Sequence, residues 1–198
     1  MDRSKIQLSA EEIKLVNNSS WILTKQAIIQ KVCLLLGDLS EELQAEWSKQ
    51  NFTITTPSPK ISKGELYESL PWVVLDYPRI FSKEDVFAVR CFFWWANYFS
   101  ITLHLKGKYL AFFKGYPQEL GESGDKDLFV STGGDEFGFN LEAGDYKPWT
   151  SAEGHTATGE MRVAFLKITK RIPLGDWNQV PEIMLEQFRQ WMAYAAKG

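Results

Sequence analysis

Residues 86–113 read VFAVRCFFWWANYFSITLHLKGKYLAFF, the densest aromatic and β-branched stretch of the chain. From residue 99 to 106 the side chains alternate strictly, with Phe99, Ile101, Leu103 and Leu105 on one side and Ser100, Thr102, His104 and Lys106 on the other. Strand side chains point to opposite faces with period two, so this pattern predicts a half-buried strand. Residues 86–95 are rich in the β-branched and aromatic types that suit a pleated surface. Gly107-Lys108 suits a tight turn, because glycine takes the positive φ that hairpin turns need. The expectation is a three-stranded antiparallel meander over 86–95, 99–106 and 109–114.

The hydrophobic pattern also predicts a register. With a turn at Ala96-Asn97-Tyr98 and Trp95 opposite Phe99, Phe93 faces Ile101, Cys91 faces Leu103 and Val89 faces Leu105. Trp94, Phe92 and Arg90 then meet Ser100, Thr102 and His104 on the other side. A one-residue slip would carry Arg90 to the apolar face, so the pattern selects this assignment of faces.

The 198 residues suffice for one domain with a real core, and 44% hydrophobic against 24% charged residues is an ordinary globular balance. Eight Trp, seven Tyr and thirteen Phe predict a large aromatic core. A net charge of −3 leaves no basic footprint for duplex nucleic acid. Cys33 and Cys91 lie far apart inside apolar runs, with no zinc spacing, and read as buried free thiols of a reducing compartment. The first residues lack the apolar core of a signal peptide, and no run approaches the roughly 20 apolar residues of a spanning helix. The expectation is a soluble, cytoplasmic protein without membrane association.

Outward from the meander, Ser9 and Glu12 have capping-box spacing and start a short helix over 10–16. A second helix over 20–36 stops at Gly37, and Asp38 with Glu41 starts a third that runs to 49. Residues 52–64, FTITTPSPKISKG, read as a connector. The organisation expected is a single α+β domain over 1–198. It comprises a helical subregion (1–50), a connector (51–70), a β-rich body (71–175) and a C-terminal helix (176–197) capped by Asp176. The antiparallel sheet is expected to have the N-terminal helices and the C-terminal helix over its apolar face. Residues 72–75 read as a buried strand and 128–131 as a short one; 161–170 return to strand-like composition.

Between 119 and 145, eight acids meet one lysine and six glycines. Clustered oxygens suit calcium or magnesium, but the spacing matches no EF-hand, so a solvated loop without metal is expected. Residues 133–137 spell Gly-Gly-Asp-Glu-Phe, which resembles the signature pentapeptide of the diguanylate cyclases. The resemblance covers those five residues only. The upstream metal-binding aspartate strand and the Asn-Asp…Gly-His segment are missing, so the family's roles do not pass to Asp135 or Glu136. Phosphate-loop, dinucleotide, nucleophile-elbow and zinc-protease motifs are absent too, and no cofactor is expected. His155 lies in a Ser/Thr/Gly-rich stretch over 150–159 with lid-like composition.

The candidate site is the polar face of the meander, where Arg90, Ser100, Thr102 and His104 lie among Phe92 and Trp94. A few convergent polar groups in an aromatic setting suit a small ligand, with Arg90 gripping an anionic group. The positive charge of Arg90 should lower the pKa of His104 and leave a neutral imidazole. Asp76 and Arg79, at the end of the preceding strand, form a candidate ion pair. The leading expectation is a small-ligand-binding or protein-interaction module for an anionic or aromatic ligand, with homo-oligomerisation open to its helices. Two alternatives remain: a hydrolase- or lyase-like enzyme with His104 as base oriented by Asp76, and single-strand nucleic-acid binding through sheet aromatics with Arg90, Lys106, Lys108 and Lys114.

Overall fold

The computed structural model describes residues 6–50, 52–113, 125–131, 133–149 and 164–196. Two helices, α1 (Ala10–Val16) and α2 (Ser19–Lys49), precede four strands in succession: β1 (Lys60–Tyr67), β2 (Leu70–Phe81), β3 (Val86–Trp94) and β4 (Tyr98–Lys106). A 3-10 helix (Gly107–Phe113) follows, then β5 (Leu128–Ser131), β6 (Tyr146–Pro148), β7 (Phe165–Pro173), a second 3-10 helix (Leu174–Gln179) and α3 (Val180–Ala195). The strands form one antiparallel sheet in the order β1-β2-β3-β4-β7-β5-β6. The fold is α+β, as the strand-after-strand order implied.

The meander is real, but it extends in the other direction. Residues 107–113 leave the sheet as a 3-10 helix that buries Tyr109 and Phe113, so the third strand expected over 109–114 is not formed by 109–113, and Lys114 lies outside the described residues. The connector over 51–70 instead supplies β1, and the strand read at 72–75 is the middle of a twelve-residue β2. In the β3–β4 hairpin, Trp94 pairs with Tyr98, Phe93 with Phe99, Cys91 with Ile101 and Arg90 with Thr102. The expected register is therefore off by two residues. The turn is Trp95-Ala96-Asn97, with Ala96 at φ +61° and the Asn97 amide donating to the Trp94 carbonyl. Because side chains alternate with period two, a two-residue error leaves every side chain on its expected face.

That face is the core. Val73, Leu75, Phe87, Val89, Cys91 and Phe93 of β2 and β3 pack with Phe99, Ile101, Leu103 and Leu105 of β4 beneath α2 and α3. From α2 come Val32, Leu36, Leu39 and Leu43; from α3 come Val180, Met184, Phe188 and Trp191. The helix expected to stop at Gly37 runs through it as a single 31-residue α2, so Asp38 caps nothing. The mid-helix glycine costs about 1 kcal/mol against alanine, while Leu36 and Leu39 on either side of it are both fully buried. Burial wins. The capping box at Ser9 and Glu12 forms as read, whereas α3 begins at Val180 with no side-chain cap from Asp176. Cys91 is a buried free thiol; Cys33 is free but only half-buried. No helix among the described residues is long and apolar enough to cross a membrane.

Gly64 of β1 marks a close approach across the sheet. A Cβ built there would lie 2.6 Å from the Trp72 indole nitrogen. Gly64→Ala should therefore displace Trp72 and cost about 1–3 kcal/mol in urea melts, with a matched change in indole fluorescence. An unchanged midpoint would show that Trp72 moves aside freely.

Candidate functional site

The polar face of the sheet carries the candidate residues. Asp76, Arg90, Phe92, Trp94, Ser100, Thr102 and His104 share it, as the pairings Asp76 with Arg90, Arg90 with Thr102 and Phe92 with Ser100 require. The strand beyond β4 adds Lys167, Thr169 and Arg171, paired with His104, Thr102 and Ser100. The face is not open. The segment 133–145 lies across it, with Leu141 and Phe139 packing on Val74, Phe92, Trp94 and Tyr98.

Three phenols and a lysine hold this cover. The Tyr67 hydroxyl accepts from the amides of Phe139 (2.7 Å) and Asn140 (3.0 Å). Tyr98 donates to the Phe139 carbonyl (2.9 Å) and accepts from the Leu141 amide (3.0 Å). Tyr146 and Lys167 both donate to the Gly138 carbonyl. Burial pushes the Tyr98 phenol up to about 12, so it stays protonated and able to donate. Tyr98→Phe removes both bonds to the cover; it should cost about 1–3 kcal/mol and speed amide exchange at Leu141. Exchange there at the wild-type rate would mean that Tyr98 does not anchor the cover.

An acid of the cover meets a lysine of the sheet: Glu136 binds Lys106 at 2.8 Å. Ahead of β5, Asp127 contacts Arg171 at 2.9 Å on this face, whereas Asp125 contacts Lys170 on the helix side, where Lys170 alternates with Ile168 and Ile172. Part of the acidic stretch expected to be a solvated loop is thus a fitted layer. Among the described residues no three metal-ligating side chains cluster. The Gly-Gly-Asp-Glu-Phe run has a structural rationale. Gly134 sits at φ +82°, where a Cβ would lie 2.3 Å from the Asp145 carboxylate. Asp135 accepts from the Phe137 amide (2.8 Å), Glu136 reaches Lys106, and Phe137 packs edge-on to His104.

Two expected partnerships are replaced by others. Asp76 does not pair with Arg79; it accepts from Arg90 at 2.7 Å. Arg79 lies past a register shift in β2 and donates to the Ser58 carbonyl at 2.5 Å. Arg90 is opposite Thr102, and it is Ala88 that faces His104. The Arg90 guanidinium stacks on Phe139 (4.6 Å) and Phe81 (5.5 Å). Thr102 and Thr169 share a hydrogen bond at 2.9 Å.

His104 is fully buried, ringed by Phe81, Phe137 and Phe165. Its Nε2 lies 3.3 Å from Glu136 Oε1 but without hydrogen-bond alignment, so both ring nitrogens and that oxygen lack partners. Desolvation, then Lys167, Arg90 and Lys106, drive its pKa down to about 3. The direction agrees with the expected effect of Arg90, although burial is the larger cause. Lys167 is also fully buried, and burial followed by Arg90 brings its pKa to about 7. Lys167, Glu136, Phe139 and the three tyrosines were not foreseen as site residues. The alternation of Leu166 and Ile168 with Lys167 and Thr169 was the signal available for Lys167. His155 and Lys114 lie outside the described residues.

A second surface stands apart from this face. α1 buries none of its residues, and α2 has no buried residue before Ile29. Ile6, Leu8, Ile13, Leu15 and Val16 are exposed, as are Trp21, Ile22 and Leu23 on the first turns of α2. Beside them, Ile22, Lys25, Gln26 and Ile29 of α2 and Lys63, Gly64 and Glu65 of β1 line a groove of about 520 Å³. A scan against protein-family models, a search of curated proteins and a search of solved structures each return no match.

Proposed function

We propose that this chain is a protein-interaction module that docks another polypeptide on its N-terminal helical arm. The observation that carries this reading is the run of eight large apolar side chains exposed between residues 6 and 23. Monomeric proteins rarely leave so many large apolar side chains uncovered within one short segment, and concentrations of them mark association. A seven-residue helix is also too short to persist on its own propensity, so α1 needs a surface to pack on.

The catalytic reading loses support from the geometry. His104 has no exposed surface and a low proton affinity, and Asp76, its expected orienting carboxylate, is engaged by Arg90. Base stacking has little room on sheet aromatics that lie under residues 139–141. Small-ligand binding beneath the cover keeps one specific argument. Buried polar groups normally find partners, yet both nitrogens of His104, Glu136 Oε1, Ser100 Oγ and Trp94 Nε1 have none. A small carboxylate meeting Lys106 in place of Glu136 would be the matching ligand class.

Amine-reactive cross-linking of the tagged full chain in cells expressing it separates these readings. Intermolecular cross-links should concentrate on Lys14, Lys25 and Lys31 and vanish in Ile13→Asp/Leu23→Asp. Cross-links spread evenly over the surface lysines would overturn the arm as the docking surface.

A further inference from the structure

We infer that Glu136 is the built-in occupant of a carboxylate site, and that a small aryl carboxylate takes its place on Lys106 and His104 when the run 133–138 swings out. The inference rests on the small-ligand reading above and names both the ligand and the gate. Glu136 fills its position imperfectly. One carboxylate oxygen accepts from Lys106 at 2.8 Å, while the other stands 3.3 Å from His104 Nε2, out of alignment and without a partner. Charge-assisted N–H···O bonds close to about 2.7–2.9 Å. A neutral imidazole offers one N–H donor and one acceptor, and His104 leaves both unsatisfied although it has no exposed surface. A carboxylate without a backbone tether is free to turn until it accepts from Lys106 and from the Nε2 hydrogen together.

The anchoring of the cover leaves this end able to move. Its bonds to Tyr67, Tyr98, Tyr146 and Lys167 all fall on residues 138–141. Residues 135–137 meet the sheet through Glu136 on Lys106 and the Phe137 ring on His104. Gly133 and Gly134, at φ +129° and +82°, lead into them. The position is also close to water, with the Glu136 and Lys106 side chains 19% and 24% exposed. Charge selects a monoanion. Glu136 brings one negative charge to one lysine, His104 is neutral, and Arg90 is already bonded to Asp76, so a dianion would bring an uncompensated charge. The surroundings select an aryl body. Phe81, Phe137 and Phe165 stand edge-on to the imidazole, and the first two are well exposed; a further ring packs among them in the same edge-to-face manner.

Benzoate is the probe, and the full chain carries only two histidines, so ring 1H–15N spectra isolate His104 as the signal that His104→Phe removes. Benzoate should shift that signal, and benzamide, the neutral isostere, should not. Glu136→Gln should bind benzoate about tenfold or more tightly than the wild type, because a tethered competitor acts at millimolar effective concentration and holds the competent state scarce. Lys106→Met should abolish the shift. If Glu136→Gln does not fold, the wild-type titration still decides, since displacement must move the Glu136 and Phe137 amides together with His104. Benzoate that shifts His104 equally well in the wild type and Glu136→Gln leaves a ligand site beneath the cover and overturns Glu136 as its occupant. Benzamide acting as benzoate does overturns recognition of the carboxylate. No shift at His104 in the wild type or in Glu136→Gln at about 10 mM benzoate, a concentration that would reveal even millimolar affinity, overturns the site and the small-ligand reading with it.

Discussion

Lowering the pH from 6.5 to 3 should remove up to about 5 kcal/mol of folding stability through His104 alone. The imidazole titrates near 6.5 when unfolded, whereas burial and the cations around it bring it to about 3 in the fold. Between those values the unfolded chain holds a proton that the folded chain does not, so stability falls as the pH falls through that window. Above 6.5 both states are neutral at this site and the contribution is flat. The gap between the two values, at about 1.4 kcal/mol for each tenfold difference in proton affinity, sets the upper bound. Carboxylates also titrate over this range, so the informative quantity is the difference between the wild type and His104→Phe, which keeps a ring among Phe81, Phe137 and Phe165. The variant should lose much less stability on acidification. Parallel denaturation midpoints for the two proteins from pH 6.5 to 3 would refute the assignment. Lys167 acts in a separate window. Its pKa falls from 10.5 to about 7 in the fold, so folding stability rises as the pH rises between those values.

The dependence on His104 follows from how the polar face is covered, and that was the least legible part of the sequence. Assignment of side chains to faces was legible because alternation survives a two-residue register error: Arg90, Thr102 and His104 kept their side although each met a different partner. The layout of the α2 helix was not, since Gly37 is a local stop signal and the burial of Leu36 and Leu39 that overrides it is a tertiary effect. The cover was hidden for a similar reason. Its residues are glycine-rich and acidic, a composition that ordinarily describes solvated loops, and the bonds that fix it join Tyr67 to Phe139 and Asn140 across more than seventy positions. Glu136 could not be told from its acidic neighbours until Lys106 was seen beneath it. The exposed arm was legible in part. The capping box marked where its first helix starts, but apolar residues on a helix look the same in sequence whether they face a sheet or water.

Asp76→Ala should cost about 3–5 kcal/mol, the usual penalty for leaving one partner of a buried ion pair uncompensated. The Arg90 guanidinium would keep its contacts with Phe139 and Phe81 but lose the only carboxylate that it bonds in the described structure. Both partners are largely shielded, with side-chain exposures of 14% for Arg90 and 12% for Asp76, so water can replace little of what is lost. Removing both charges should behave differently. Asp76→Leu/Arg90→Met substitutes apolar volume for the pair, and such exchanges are often neutral or stabilising; the double variant should therefore recover most of the loss. The single variant also bears on small-anion binding beneath the cover. A vacated carboxylate position beside a fixed guanidinium is a site for acetate, and acetate at millimolar concentration should raise the melting temperature of Asp76→Ala more than that of the double variant. Equal shifts in both would show that the polar face, even when opened at Asp76, does not select a carboxylate. A single variant as stable as wild type would mean that Arg90 is held by its ring contacts rather than by charge.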